Sequence, residues 1–412
     1  MSDKAASAKP KLIFVWNYLE WGGAQIYFIG IMKLAKAEWD ITVVLPEGSD
    51  AKLLGFLDTA GIRYEFLKGS FDLAPAEDFG RKIERRITIL HSEINVFRHL
   101  RKFDLKNSIL HIEAAPWQSA TLLTALSLLR GANIFVTMHN ALPDASRWRE
   151  LVWKIKIGVV SRLPKLRAFT SNQDTKKRFR RWVNKAFFDT IRVTYTTVNP
   201  PEIDAIRDDG GDRSLIRKWV GIPEDVFVVL CVGQFIDRKG RWIFLEAAQK
   251  VVEDRPDIHF AWITSSEVTT SEMERIAGYK LGDNFNLVNA SSVGNERKDI
   301  LSAYAAADVF ALPSYIEGLP VALLEAMAMG VASISTEIYA IPEAIKHEET
   351  GLLINPGRAD ELFNAIVQLY EDVALRERLA QNGRDFVIAN FDEREASKIA
   401  IDAYKEALAV RR

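Results

Sequence analysis

Two α/β halves, each a doubly wound parallel sheet, are what this sequence predicts, and three observations carry the prediction. Its 412 residues exceed one ordinary core and suit two domains of roughly 200 residues each. Short β-branched runs alternate with helical patterns, as expected of strands covered on both faces by crossover helices. The same grammar then starts afresh in mid-chain, at Val226.

In chain order, the first half opens with the strand Leu12-Ile13-Phe14-Val15-Trp16, the turn Gly22-Gly23-Ala24-Gln25 and an amphipathic helix to about Lys36. Ile41 to Leu45, Ser108 to Ile112 and Ile134 to Met138 are short, mainly apolar runs without charge and read as further buried strands. The polar, Pro-containing stretch from Asn199 to Asp212 marks the boundary. Val226 to Val232 begins the second half, followed by Gly233 and a helix from about Trp242. Strands are expected near Ile258 to Ile263, Phe285 to Val288, Val309 to Leu312 and Val331 to Ser335. An amphipathic helix from about Arg394 to Val410 closes the chain and is suited to pack back on the first half. The expected architecture is two Rossmann-like domains facing a cleft, residues 1–198 with helix 394–412, and residues 199–393. A dinucleotide-dependent dehydrogenase is excluded, because neither first βα turn carries G-x-G-x-x-G.

Hydrophobic content of 48% and charge of 26% are ordinary for a globular protein. Cys231 is the single cysteine, which excludes a disulfide scaffold and argues against a Cys-based metal site. The first residues lack the apolar core of a signal peptide and no run approaches 18 apolar residues, so cytoplasmic residence is expected. The net charge of −1 hides an asymmetry: residues 1–192 hold 31 Lys and Arg against 19 Asp and Glu, and residues 193–412 hold 23 against 36. Such a split speaks of partners rather than of fold.

The most informative stretch runs from Pro313 to Gly330: a strand end, a tight loop and an apolar helix, with Glu317 in the loop and Glu325 inside the helix. Pro320 has a fixed φ and suits the first helical turn. The N–H groups of Gly318, Leu319 and Val321 precede the helical hydrogen bonds and make a helix-start anion site. A carboxylate on a buried helix costs several kcal/mol unless paired, and vicinal sugar hydroxyls would pair with Glu325. One segment thus suits both the phosphate and the hydroxyls of a nucleotide-sugar.

Glu317 and Glu325 resemble the E-x7-E pattern of the retaining glycosyltransferases of family four. The flanking letters do too: Ala306-Ala307-Asp308-Val309-Phe310, Pro313-Ser314 and Glu325-Ala326-Met327-Ala328-Met329-Gly330. The alternative is a core helix capped by Glu317, with Glu325 bridged to a structural Arg. The resemblance is specific over about residues 226–356 and thinner over 1–200. It implies the GT-B fold, a nucleoside-diphosphate sugar as donor, and no metal or other cofactor. It also implies that Glu317 contacts the transferred sugar and Glu325 the ribose. Arg238, Lys239 and the N–H groups at Gly318 and Leu319 would hold the diphosphate, flanked by Ser314, Pro320 and Val321.

Other pieces match with departures. In Gly233-Gln234-Phe235-Ile236-Asp237-Arg238-Lys239-Gly240, Gln234 stands where the family often has Arg, and Arg238 is the candidate to supply that cation. Gly22 and Gly23 resemble the family's first-domain glycine loop, with Gln25 where Glu is commoner. His139, at a strand end, is implied to contact the donor sugar or support an oxocarbenium-like transition state. His111 reads as structural, and Glu113 as a group on the acceptor side. Asn199-Pro200-Pro201-Glu202-Ile203-Asp204 replaces the family's Pro-Asn-Gly-Val-Asp turn and lacks its Gly.

Residues 81–192 hold 23 basic against 8 acidic residues. Between Arg147 and Arg192 the basic residues interleave with Trp148, Trp153, Phe179, Trp182, Phe187 and Phe188. Cations and interfacial aromatics suit an anionic inner-membrane surface and a glycan or lipid-linked acceptor; an ordinary basic surface over core aromatics is the alternative. No nucleic-acid motif accompanies the charge. The sequence therefore predicts a retaining, metal-independent glycosyltransferase of cell-surface polysaccharide or lipopolysaccharide assembly. The alternatives are a catalytically degenerate sugar-nucleotide-binding subunit, and an epimerase or phosphorylase of the same fold.

Overall fold

The computed structural model describes residues 9–16, 23–68, 78–113, 120–140, 142, 146–208, 213–294 and 296–409. The chain divides into two units, Met1–Tyr195 with Arg394–Arg412, and Thr196–Glu393.

The first unit holds seven strands: β1 (Lys11–Val15), β2 (Asp40–Pro46), β3 (Arg63–Leu67), β4 (Ser108–Ile112), β5 (Asn133–Met138), β6 (Leu166–Thr170) and β7 (Arg192–Val193). They pair in parallel in the order β3-β2-β1-β4-β5-β6-β7. Alternate strand residues feed two cores. Ile13, Leu110 and Ile134 face the helices Phe79–Leu100, Thr121–Leu129 and Arg147–Val160. Leu12, Phe14 and Ile109 face the helices Gly23–Ala35, Ala51–Ala60 and Glu393–Ala409. The last of these contributes Ala400, Ala403, Tyr404 and Ala407 to that second core.

The second unit holds β8 (Phe227–Val232), β9 (Ile258–Thr264), β10 (Phe285–Asn289), β11 (Val309–Leu312), β12 (Ala332–Thr336) and β13 (Leu352–Ile354), again all parallel, in the order β10-β9-β8-β11-β12-β13. Both sheets are α/β and doubly wound. The order reverses at β1/β4 in one and at β8/β11 in the other, and such reversal points open a crevice outside the carboxyl ends of the strands.

Local detail departs from expectation at Pro320 and in the basic stretch. Within the boundary stretch, 200–208 form the helix Pro200–Asp208, started by Asn199, whose Oδ1 accepts the Glu202 N–H at 3.1 Å; Pro at the first helical position loses no hydrogen bond. Pro320 caps the helix Val321–Ala328 from outside, with φ −72° and ψ 124°, rather than forming its first turn. Of the aromatics in the basic stretch, Trp153, Phe179, Trp182 and Phe187 are core residues, and only Trp148 is largely exposed. Their spacing follows the inward face of their elements, and the cations around them cover that core: Arg181 lies over the Trp182 ring at 5.0 Å and Lys154 at 5.9 Å.

Candidate functional site

The β8/β11 reversal brings two loops together. After β8, Gly233 and the exposed Gln234 lead into the 3-10 turn Asp237–Lys239 and then Gly240. After β11, Pro313 leads through Ser314 and Glu317 to the helix Val321–Ala328. Gly240 has φ +76°, and a Cβ there would stand 1.9 Å from the Pro313 carbonyl oxygen, so only glycine lets the loops meet. The Tyr315 N–H donates to the Arg238 carbonyl at 2.9 Å and knits them.

Glu317 is the centre of the contact. Lys239 Nζ lies 2.6 Å from its Oε1, the Ser314 hydroxyl donates to the same oxygen at 2.7 Å, and Arg238 Nη1 stands 3.6 Å from its Oε2. Arg238 also donates to the Ile316 carbonyl at 3.0 Å. The Ser314 carbonyl is itself fixed by the Thr336 hydroxyl at 2.7 Å, so the loop hangs on β12. The Arg238 side chain remains 39% exposed and Glu317 5%, which leaves one cation facing outward over a buried ion pair. Beside them the first intrahelical bond is that of Leu324 N–H to the Pro320 carbonyl, so the N–H groups of Gly318, Leu319 and Val321 stand at the positively polarised helix start.

Glu325, one turn further in, forms a separate cluster. It faces no cation of the loop. Arg297 Nη1 is 2.8 Å from its Oε1, and the Tyr304 hydroxyl donates to Oε2 at 3.1 Å. Arg297 reaches on to Glu202 at 3.1 Å. Sugar hydroxyls were one expected partner for this buried carboxylate and a structural Arg the alternative; an arginine and a tyrosine hold it here. The Arg297 contact is a charge contact off the hydrogen-bonding axis, and Oε1 has no aligned donor among the described residues. Burial pushes the Glu325 carboxyl above its ordinary range, opposed by Arg297 and Tyr304. Burial works against the charge on Arg297, but Glu325 and Glu202 outweigh it and raise that group.

In the first unit, His139 follows β5, and its Nε2 lies 3.1 Å from Glu113 Oε1 at the end of β4. The ring stands edge-on to Tyr27 and Phe28, at 5.3 and 5.8 Å. His111 is fully buried between the Tyr404 hydroxyl at 2.6 Å and the Thr137 hydroxyl at 2.9 Å, as a structural residue would be. Burial pushes its pKa down to about 3, so it is neutral at ordinary pH. Gly23 begins the helix Gly23–Ala35 and Gln25 is buried in it, whereas Gly22 lies outside the described residues. Of the site residues named from sequence, Arg238, Lys239, Ser314 and Glu317 meet directly, with Gly233 and Gln234 in the same loop. Glu325 sits apart, bridged to an arginine as the alternative reading had it and also to Tyr304, which was not foreseen, and His139 belongs to the other unit. Tyr304 stands two residues ahead of the Ala306-Ala307-Asp308 motif, which could have flagged it; nothing local flags Arg297.

Comparison with known proteins bears on the same region. Residues 212–386 match the family model described as Glycosyl transferases group 1. A UDP-Gal:alpha-D-GlcNAc-diphosphoundecaprenol alpha-1,3-galactosyltransferase of Escherichia coli is 30% identical over 212 residues, 51% of this chain and 53% of its own length. The lipopolysaccharide core biosynthesis glycosyltransferase LpsE of Rhizobium meliloti is 30% identical over 193 residues, 47% and 53% of the two chains. The chain spans about half the length of the curated relatives it matches. Among solved structures, a glycosyltransferase of Rickettsia africae superposes with a TM-score of 0.77 at 18% identity, over 97% of this chain and 99% of that one. Anabaena HepE in complex with UDP-glucose gives 0.75 at 17%, over 96% and 100%. The fold is the GT-B fold of the glycosyltransferases. The family model and the relatives support a place in the glycosyltransferase superfamily of that fold.

Proposed function

We propose that this chain is a retaining glycosyltransferase of family four that moves a sugar from a nucleoside-diphosphate sugar to a glycan or lipid-linked acceptor. The carrying observation is the cluster of Glu317, Lys239 and Arg238 at the β8/β11 reversal, beside a helix start and inside the matched region. Two preplaced cations and a helix N-terminus stabilise the charge that develops on a leaving nucleoside diphosphate. They supply without a metal what a divalent cation would otherwise provide, which supports metal independence. Lys239 neutralises Glu317 at 2.6 Å before donor binds. Once the diphosphate takes over the ammonium, the Glu317 carboxylate is freed to accept hydrogen bonds from the transferred sugar. Glu325, with Oε1 lacking an aligned donor, accepts from the ribose hydroxyls. His139, held by Glu113 at 3.1 Å, is assigned the sugar contact that the resemblance implies. No group in these motifs is placed as an enzymic nucleophile, so departure and attack on one face of the sugar is the favoured route to retention.

We assign donor binding to residues 199–393 and acceptor recognition to residues 1–198 with the last helix. The relatives' names mention both UDP-galactose and GDP-mannose, so likeness leaves the donor base open. Assembly of cell-surface polysaccharide or lipopolysaccharide, at the cytoplasmic side of a membrane, is the setting that best suits relatives such as LpsE. The test is a thermal-shift screen of UDP-, GDP- and ADP-sugars with EDTA present, on wild type and Glu325→Ala. Stabilisation should reach about 2.7 kcal/mol at a hundredfold excess over Kd. A shift with one nucleotide class that Glu325→Ala abolishes supports the site, and NMR of the product's anomeric centre then tests retention. No shift with any of them overturns the donor site. Binding without turnover of any acceptor would favour the degenerate subunit.

A further inference from the structure

Arg167 belongs to the basic stretch, yet a basic surface does not account for it. It is the second residue of β6, two places before Phe169, so the two side chains share the face that the last helix covers. Phe135 is its neighbour across the ladder to β5, and the guanidinium carbon lies 5.8 Å from the centre of that ring. Its Nη1 is buried and has no hydrogen-bond partner among the described residues. A buried cation without a partner is costly, and a guanidinium does not escape by losing its proton. Burial works against the Arg167 charge most, Glu406 supports it and Arg192 works against it. Arg167 lines a cavity of about 290 Å³, walled by Phe135, Phe169 and Ala403, with Arg192 and Glu406 toward the solvent. The shortness of β7 leaves this space: Arg192 and Val193 pair with Phe169 and Thr170, and among the described residues no strand covers the edge of β6 beside Arg167. The cavity is also away from the candidate site. His139 and Glu113 stand past the carboxyl ends of β5 and β4, whereas Arg167 is three residues short of the end of β6, about 10 Å back along the strand.

The other charges at the cavity have counter-charges of their own. The Arg192 guanidinium donates to the Glu406 carboxylate, and Lys185 Nζ lies 2.6 Å from Asp189 Oδ2. One positive charge, that of Arg167, is left over. We propose that this cavity binds a small monocarboxylate with a flat apolar body. The carboxylate takes the planar fork of Arg167, whose paired N–H groups match its two oxygens. The body lies against the Phe135 and Phe169 rings, which stack 5.1 Å apart at 26°. Ala403 brings the last helix to the same wall, so an occupied cavity ties that helix to the edge of the sheet. The volume is at the small end of ligand sites and suits a single ring with its carboxylate. A dianion fits the charge less well, because one cation is unbalanced and the Glu406 carboxylate stands at the mouth. A neutral molecule of the same shape leaves the guanidinium unpaired.

The cavity does not depend on sugar transfer, and its test needs no donor. Benzoate, benzamide and phenyl phosphate are titrated into the full chain by calorimetry, with thermal unfolding alongside. Benzoate should bind and raise Tm. Benzamide, the same shape without the charge, should bind at least tenfold more weakly, and phenyl phosphate no better than benzoate. Arg167→Met should weaken benzoate at least tenfold. Without ligand it should also unfold at a higher temperature than wild type, because an uncompensated buried charge is gone. Glu406→Gln keeps Arg167, removes the opposing charge and frees Arg192, so benzoate should bind about threefold more tightly. No benzoate binding by wild type, equal binding of benzamide, or unchanged benzoate affinity in Arg167→Met overturns the proposal. So does an Arg167→Met chain less stable than wild type, which would make the guanidinium a structural group. Tighter binding of phenyl phosphate overturns it too, and would assign the cavity to phosphate monoesters.

Discussion

Replacing Arg297 by Met separates the buried ion cluster from ordinary packing. Met keeps much of the side chain's length and removes its charge. In the native chain the guanidinium stands between Glu325 Oε1 at 2.8 Å and Glu202 Oε2 at 3.1 Å, with the Arg297 side chain 15% and Glu325 6% exposed. Glu202 is 28% exposed and can turn to water; Glu325 cannot, and is left with the Tyr304 hydroxyl alone. Removing one partner of a buried pair costs about 3–5 kcal/mol. The cost has a sign in pH. Burial already raises the Glu325 carboxyl, and loss of Arg297 raises it further. A carboxyl with a raised folded pKa binds its proton more readily folded than unfolded. The deficit is therefore small at or below the ordinary carboxylate range and grows as pH rises through the folded pKa. Urea unfolding followed by tryptophan fluorescence should show Arg297→Met further below wild type at pH 8 than at pH 5. Adding Glu325→Gln should recover most of the loss, because a neutral amide needs no cation. The reasoning is refuted if the single variant lies within about 1 kcal/mol of wild type at pH 8, if the deficit is equal at both pH values, or if the double variant is no better.

Three further outcomes follow from the same geometry. Gly240→Ala puts a Cβ 1.9 Å from the Pro313 carbonyl in a left-handed conformation; the variant should lose about 3 kcal/mol or more of stability, read by denaturant midpoint, and its donor-induced thermal shift with it. If Arg238 supplies the cation that Gln234 does not, Arg238→Ala should raise donor KM tenfold or more, on the order of one charged hydrogen bond, and Gln234→Arg should rescue that variant while changing wild type little. His111, pushed down to about 3 by burial, contributes stability that is present above the unfolded value near 6.5 and is lost as pH falls; unfolding at pH 5 should need about 2 kcal/mol less than at pH 7, and His111→Gln should flatten that slope.

What the sequence made legible was set by burial. Strands covered on both faces, such as the wholly apolar Val309–Leu312 and the mainly apolar Ser108–Ile112, carry no charged residue and were placed to the residue. The strands passed over were those whose context differs. Arg63–Leu67 is a half-exposed edge strand that alternates polar and apolar residues, Leu166–Thr170 is interrupted by Arg167, and Arg192–Val193 and Leu352–Ile354 are too short to carry a pattern. In the site, Glu317, Lys239 and Arg238 could be named because each belongs to a loop with its own local motif. Arg297 could not, because its bond to Glu325 joins two helices 28 residues apart in the chain and neither segment announces the other. The aromatics near the basic stretch misled for a related reason: a row of Trp and Phe among Lys and Arg looks the same in sequence whether it points inward or outward. Trp153 and Trp182 stand ring to ring at 6.2 Å inside the core, and the outward apolar row is instead Trp148, Leu151, Ile155 and Val159.

The two glutamates of the motif also show why a spacing of eight residues is useful chemistry. Glu317 lies before the helix, where the β8 loop delivers Lys239 and Arg238. Glu325 lies a turn inside the helix, where that loop does not reach and Arg297 comes from another helix. Each carboxylate therefore has its own counter-charge, and the two are not rivals for one cation. The loop pair is held at the mouth of the crevice by a flexible ammonium that can leave for a phosphate. The helical pair is held by a guanidinium locked between two carboxylates, which resists displacement. An exchangeable partner at Glu317 and a fixed one at Glu325 suit the roles proposed above for the two carboxylates, one changing its contacts as a sugar reacts and the other keeping them.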